Sequence, residues 1–271
     1  METTRRDLAA LIALAFSGAA ATAAESDSAL PPPAHDMSAM PASWTGKEQI
    51  AFLIYPAFTA LDMVGPHYMF TNLMGATTHI VAKTMAPVTS DTGLVFTPSK
   101  SFDDCPERLD IICVPGGTSG TLAAIRDPAT LRFLADRGGK ARFVTSVCTG
   151  SLLLGAAGLL DGYRATSHWL TRSILPAVGA IPAEGRIVRD RNRITAGGVS
   201  AGLDFGLSMV GDLRDRQYAE VVQLLAEYAP EPPFQSGTPA LASAATRKLM
   251  DDMFTGFLAD AKAACETARK T

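Results

Sequence analysis

From residue 49 onward, short apolar runs alternate with longer stretches whose apolar positions recur at helical spacing. QIAFLIY (49–55), THIVAKT (78–84), LDIICVPGG (109–117) and ARFVTSV (141–147) read as strands, each a compact β-rich run bounded by turn formers. Residues 61–73, 118–125 and 128–138 read as helices, the last opening at Pro128 after Asp127. Residues 86–102 predict a small hairpin turning at Asp91 to Gly93. A helix follows the fourth strand to about residue 158, YRATS (163–167) and RITAG (193–197) are later strands, and a last core helix is expected over 201–228. After the loop PEPPFQSGTP, residues 240–268 predict an amphipathic tail helix with Leu241, Leu249, Met253 and Leu258 facing inward. Strands alternating with helices give an α/β fold of three layers, a doubly wound and mostly parallel sheet with helices on both faces. In such sheets ligands bind beyond the carboxyl ends of the strands.

Residues 1–48 break this pattern. Arg5-Arg6 precede a modest apolar stretch from Leu8 to Phe16, and small residues end in Ala21-Thr22-Ala23. That layout predicts a cleavable twin-arginine-type signal over residues 1–23 and a periplasmic product. The stretch is too short and too rich in Ala, Gly and Ser to match a span of about 20 apolar residues. Residues 24–47, with Pro31-Pro32-Pro33, read as a flexible linker, 48–238 as the folded domain and 239–271 as the helical tail. The chain's 271 residues, 47% of them hydrophobic, suffice for one domain with a sizeable core. A net charge of −3 without any basic run argues against a nucleic-acid partner.

The candidate chemistry gathers at the strand ends. TSVCTGSLLLGAAGLL (145–160) is an apolar strand that ends in one thiol, Cys148, and turns at once into a helix. A strand-to-helix elbow lifts its first side chain above the sheet. The helix beginning at Thr149 aims free N–H groups and a positive dipole end at the sulfur, which favours thiolate. From spacing alone Cys148 is either such a nucleophile or a small buried hydrophobe. Gly116 and Gly117, ending a neighbouring strand, offer N–H groups that, with that of Thr149, could face an anion beside the sulfur. Asp62, in LDMVGP (61–66), is either a helix cap or a carboxyl group that burial and a nearby thiolate would turn into a proton donor at neutral pH.

Together, YPAFTALDMVGP, VPGG, SVCTGSLLLGAAGLLDGYRATSHW and ITAGGVSAGLDFGL resemble the ThiJ/PfpI superfamily, and within it the isonitrile hydratases. The resemblance covers about residues 49–238 and implies a flavodoxin-like, class I glutamine-amidotransferase-like fold, a homodimer, and no metal or organic cofactor. By position it places the nucleophile at Cys148, its carboxylate partner at Asp62, a hydrogen-bonding neighbour at Thr149 and backbone N–H groups at Gly117. Protease-like members carry His directly after the Cys, where Thr149 stands here. Amidotransferases carry a His and an acid late in the chain, and TAGGVSAGLDF offers no His.

The activity so implied is hydration of an isonitrile to an N-substituted formamide through a thioimidate on Cys148, with Asp62 as acid and then base. Phe58, Met63 and Trp169 are candidate pocket walls. His168 follows a strand and is a candidate binding residue or a structural histidine; His67, His79 and His35 are scattered, and no Cys/His cluster has metal-ligand spacing. Cys113 reads as core, and Cys105 and Cys265 as a pair that could bridge if oxidised. The alternative is a non-catalytic ligand-binding or thiol-stress protein, because sensor domains of AraC-type regulators resemble it through the same elements. Those regulators add a DNA-binding region of roughly a hundred residues, more than the tail supplies.

Overall fold

A computed structural model describes residues 40–270. The expected signal segment and the expected linker as far as residue 39 lie outside the described residues.

The chain begins with β1 (Gln49–Leu53), α1 (Ala60–Thr71) and β2 (Thr77–Ala82). The hairpin β3 (Val88–Thr89) and β4 (Val95–Phe96) follows, then β5 (Lys100–Ser101) and β6 (Ile111–Val114). Next come α2 (Ser119–Ile125), α3 (Pro128–Lys140), β7 (Phe143–Val147) and α4 (Gly150–Ala156). The short strands β8 (Arg164–Ala165) and β9 (Ile181–Pro182) flank a 3-10 segment, Arg172–Val178. The chain ends with β10 (Ile187–Asp190), β11 (Arg193–Ala196), α5 (Ala201–Leu213), α6 (Arg216–Leu225) and α7 (Ala244–Ala268).

Seven strands form one sheet in the order β10-β11-β7-β6-β1-β2-β5, parallel throughout except for the edge pair β10–β11. All four residues of β6 are buried, as are the last four of β1 and of β7. Continuous burial, rather than alternation, is what a strand covered on both faces requires. On one face α1 packs with α5 and α6; on the other lie α2, α3, α4, α7 and the 3-10 segment. The chain winds outward from β1 to β2 and β5, then returns to β6 on the other side of β1. That reversal brings the loops after β1 and β6 together, which is where doubly wound sheets form their sites.

The glycines of ITAGGVSAGLDFGL set the approach of α5 to α1. A Cβ on Gly206 would lie 2.9 Å from Met69 Cβ and 3.0 Å from Pro66 Cα, and one on Gly202 would lie 3.0 Å from Pro66 Cδ. Close packing there fixes the helix that carries Asp62. Pro66 has no N–H to give the Asp62 carbonyl four residues earlier, so it also loosens the first turn of α1.

Four expectations need correction. The core helix expected over 201–228 is two helices, because Arg214 leaves helical geometry and turns inward to Glu48 (2.6 and 2.9 Å) while Asp215 caps α6 through the Tyr218 N–H (2.8 Å). The end of the expected linker belongs to the fold: Ala42–Trp44 form a 3-10 turn, Trp44 is buried, and its Nε1 donates to Asp215 Oδ2 at 2.7 Å. YRATS yields only the two residues of β8, which pair with β9 outside the main sheet. In α7 the buried positions are Ala261, Ala264 and Cys265, whereas Leu249 and Met253 are exposed, Leu258 is half-buried, and Leu241 is exposed ahead of the helix. Small residues let that helix lie close to its neighbours, so they, and not its largest apolar side chains, face the domain.

Candidate active site

Between Val147, the last residue of β7, and Gly150, the first of α4, only Cys148 and Thr149 make the turn. Cys148 sits at φ +58°, a left-handed conformation that costs a non-glycine residue about 1–2 kcal/mol. Its backbone is held from both sides. The N–H donates to Gly197 O (2.8 Å) and Ala196 O (3.1 Å), and the carbonyl accepts from Ser151 Oγ (3.3 Å) and Ser167 Oγ (3.2 Å). Gly150 permits the contact with β6, since a Cβ there would lie 2.2 Å from Val114 O.

Asp62 is the third residue of α1 and is fully buried. The cap position is Thr59, and the Asp62 carboxyl group does not serve the helix end. Instead Oδ2 accepts the Gly116 N–H at 2.8 Å, across the topological switch. Oδ1 is buried with no hydrogen-bond partner among the described residues. Gly116 has to be glycine: a Cβ would lie 2.5 Å from both Thr149 N and Oγ1 and 2.9 Å from Asp62 Oδ2.

The carboxyl and the thiol are coupled. Burial raises the Asp62 pKa to about 7 against the opposing Gly116 N–H and the influence of the neighbouring Cys148 thiol, so protonated and ionised forms coexist near neutrality. The sequence predicts a depressed thiol pKa, but burial, reinforced by the Asp62 charge, pushes Cys148 well above the usual thiol range. The Thr149 N–H and hydroxyl pull it the other way without overcoming burial. Each group therefore affects the titration of the other, the Asp62 charge opposing thiolate formation at Cys148.

Around them runs a buried chain of hydroxyls. Thr149 Oγ1 donates to Gly117 O (2.7 Å) and accepts the Gly117 N–H (2.9 Å). Thr121 Oγ1 lies 3.0 Å from Thr149 Oγ1 and 3.1 Å from Tyr55 Oη, which donates to Pro115 O at 2.8 Å. The N–H groups of Gly116 and Gly117 are thus engaged by Asp62 and Thr149. Of the three expected to face an anion, only that of Thr149 acts on the sulfur. The glycines hold the acid and the neighbouring hydroxyl in place.

A model of the DJ-1/PfpI family matches residues 48–212, the span from the start of β1 to the end of α5. The chain belongs to that family. It is similar to the isonitrile hydratase of Pseudomonas putida, at 50% identity over 197 residues, 73% of this chain and 86% of that protein. The HTH-type transcriptional regulator GbdR of Pseudomonas aeruginosa is 30% identical over 189 residues, and this chain spans about half of its length (51%). Among solved structures, a ThiJ/PfpI family protein from Pseudomonas syringae superposes with a TM-score of 0.82 at 55% identity, covering 89% of this chain and 98% of that one. The three-layer flavodoxin-like fold expected from the sequence is the fold of this DJ-1/PfpI chain.

Other sequence candidates fall outside the cluster. His168 is half-buried, its Nδ1 accepts the Leu170 N–H (3.4 Å) and its ring lies 6.0 Å from that of Trp169; neither contact is to Cys148 or Asp62. Its neighbour Ser167 is the residue that reaches the elbow. Phe58 and Met63 are core residues, Phe58 stacking edge-on with Phe96 at 5.3 Å. Trp169 borders a shallow groove with the first turns of α7. His67 packs edge-on against Phe52 at 5.1 Å. All four cysteines are free and buried, and burial lifts Cys113 and Cys265 to about 12. Among the described residues no group of three or more metal-binding side chains occurs, and no helix is long and apolar enough to cross a membrane. A cavity of about 750 Å³ between α7 and the ends of α2, α3 and α4 does not reach the cluster.

Sequence reasoning missed Tyr55, Thr121 and Ser167. A polar residue in an otherwise apolar strand end (Tyr55) and a threonine in the first turn of a short helix (Thr121) are ordinary in a sequence, and only the fold puts them beside Thr149.

Proposed function

We propose that this protein hydrates isonitriles to N-substituted formamides, with Cys148 as nucleophile and Asp62 as the group that moves the proton. With half of its residues identical across 86% of the Pseudomonas putida hydratase, the chain is an enzyme of hydro-lyase type. The observation that carries the cysteine route is the buried Asp62 carboxyl, poised near pH 7 beside the Cys148 thiol, with one oxygen unpartnered.

The thiol proton passes to Asp62 as sulfur bonds to the terminal isonitrile carbon. The carboxylic acid then returns that proton to the same carbon, giving a thioimidate, R–N=CH–S–Cys. Asp62, again a carboxylate, takes a proton from water as the hydroxyl adds to the carbon, and passes that proton to the nitrogen. Collapse expels the sulfur, which recovers its proton, and leaves R–NH–CHO; one water is consumed in all. The same carboxyl acts as acid and base, which requires a pKa near working pH. Thr149, Gly116 and Gly117 orient the pair. The test is incubation with a simple aliphatic isonitrile and detection of the formamide by mass spectrometry, with the thioimidate trapped on the peptide containing Cys148. A labelled Cys148 without formamide would favour the ligand-binding alternative that the kinship with GbdR suggests.

Two further readings accompany this one. Leu61, Val64 and Tyr68 leave an apolar strip on α1 between 39% and 46% exposed, which supports a homodimer. The Arg5-Arg6 signal layout supports export to the periplasm. Fractionation of cells expressing the full chain should find a shortened periplasmic product, and Arg5→Lys with Arg6→Lys should hold it in the cytoplasm. Full-length wild type confined to the cytoplasm would refute export.

A further inference from the structure

Four oxygen–oxygen contacts beside the nucleophile are served by three hydroxyl protons. They run from Gly117 O to Thr149 Oγ1 (2.7 Å), to Thr121 Oγ1 (3.0 Å), to Tyr55 Oη (3.1 Å) and to Pro115 O (2.8 Å). Both ends are carbonyls, which only accept. With Thr149 donating to Gly117 O and Tyr55 to Pro115 O, Thr121 holds the one proton whose direction is open. It points to Thr149 or to Tyr55. All three side chains are buried, so no solvent settles the choice.

The Thr149 hydroxyl belongs to the residue that directly follows Cys148 at the elbow, and it is the member of this chain that counters the rise of the thiol pKa. Its oxygen already accepts the Gly117 N–H (2.9 Å). If Thr121 donates as well, both acceptor positions of Thr149 Oγ1 are filled and its own proton has two destinations, Gly117 O and the sulfur. A charged acceptor forms the stronger bond, so the proton turns to the sulfur as thiolate develops.

We propose that Thr121 is a positioning residue for Thr149, donating its hydroxyl proton to Thr149 Oγ1 so that the Thr149 proton stays available to the Cys148 sulfur, and that Tyr55 competes for the Thr121 proton. No proton changes owner along the chain; hydroxyls only rotate. The inference rests on the reading of Cys148 as the nucleophile and assigns that site a second layer of control.

The two ends of one contact then have opposite effects. Removing the Thr121 hydroxyl takes a donor from Thr149, and the thiolate loses support. Removing the Tyr55 hydroxyl takes away the competing acceptor, and the Thr121 proton is committed to Thr149. A purely structural role would make both changes act in the same direction.

The experiment measures iodoacetamide labelling of Cys148 against pH in the full chain, by peptide mass spectrometry, for Thr121→Val, Thr121→Ala, Thr121→Ser and Tyr55→Phe. In Thr121→Val or Thr121→Ala the midpoint should rise by about half a pH unit or more, the size expected for one lost hydrogen bond. Thr121→Ser should restore it, and Tyr55→Phe should leave it level or lower it. With an isonitrile substrate, kcat of the Val or Ala variant should fall about three- to tenfold while KM stays within about twofold. Alanine carries the test if valine does not fold, with thermal melts as the check. A wild-type labelling profile in both variants, or a rise in Tyr55→Phe equal to theirs, overturns the proposal. Labelling needs no turnover, so a wild type that forms no formamide yet shows these shifts would sink the hydratase reading and leave this one standing.

Discussion

Cys148→Ala should lose isonitrile turnover by about a thousandfold or more while remaining folded. Covalent addition has no substitute among the neighbouring side chains: the other cysteines are buried elsewhere, and Ser151 and Ser167 spend their hydroxyls on the Cys148 carbonyl. The fold should survive because alanine carries the same left-handed cost as cysteine at φ +58° and keeps the backbone bonds to Ala196 and Gly197. Cys113→Ala is the matched control. That thiol is inert, raised to about 12 by burial inside β6, so its loss should cost stability but not turnover. The measurement is formamide production at saturating substrate beside a thermal melt; turnover by Cys148→Ala within about tenfold of wild type would end the covalent mechanism.

Asp62→Asn should slow turnover by about a hundredfold or more, because asparagine still accepts the Gly116 N–H but cannot exchange a proton. Losing the negative charge removes one of the forces that raise the Cys148 pKa, so the thiol should label as readily as in wild type or more so. A slow enzyme with an alkylatable thiol is the expected phenotype. Stability provides an independent reading. The folded Asp62 pKa of about 7 lies above the unfolded value of 3.8, so between those pH values the native state holds a proton that the unfolded chain has lost. Wild type therefore loses stability through Asp62 as pH rises across that window, by roughly 4 kcal/mol at most, and Asp62→Asn does not. Relative to wild type the variant should gain melting temperature from pH 5 to pH 8. An unchanged difference, with turnover within about threefold of wild type, would reduce Asp62 to a structural residue.

What the sequence made legible was whatever depends on neighbours along the chain. The elbow shows because an apolar strand ends in Cys148 and small residues follow at once; Gly116-Gly117 and Asp62 show because each terminates or opens an element. Long-range partners were hidden. Nothing near Arg214 announces that Glu48, 166 positions away, will break the expected helix there. The dipole argument for an acidic thiol is local and visible, whereas the burial that outweighs it arises only when α1, the end of β6 and the elbow close around the sulfur. Along the sequence the N–H groups of Gly116 and Gly117 look free for an anion, and only the assembled site reveals that Asp62 and Thr149 take them first. In α7 the eye follows leucine and methionine, yet closeness of packing selects Ala261, Ala264 and Cys265.

In backbone terms position 148 is a glycine site occupied by a thiol. A glycine at φ +58° would relax the elbow by roughly 1–2 kcal/mol, so the sequence that best suits this backbone is not the reactive one. A library selected for thermal resistance alone would drift toward erasing the nucleophile, and its most robust members would be catalytically silent. Stabilisation campaigns on this scaffold therefore have to hold residue 148 fixed or screen every round for turnover.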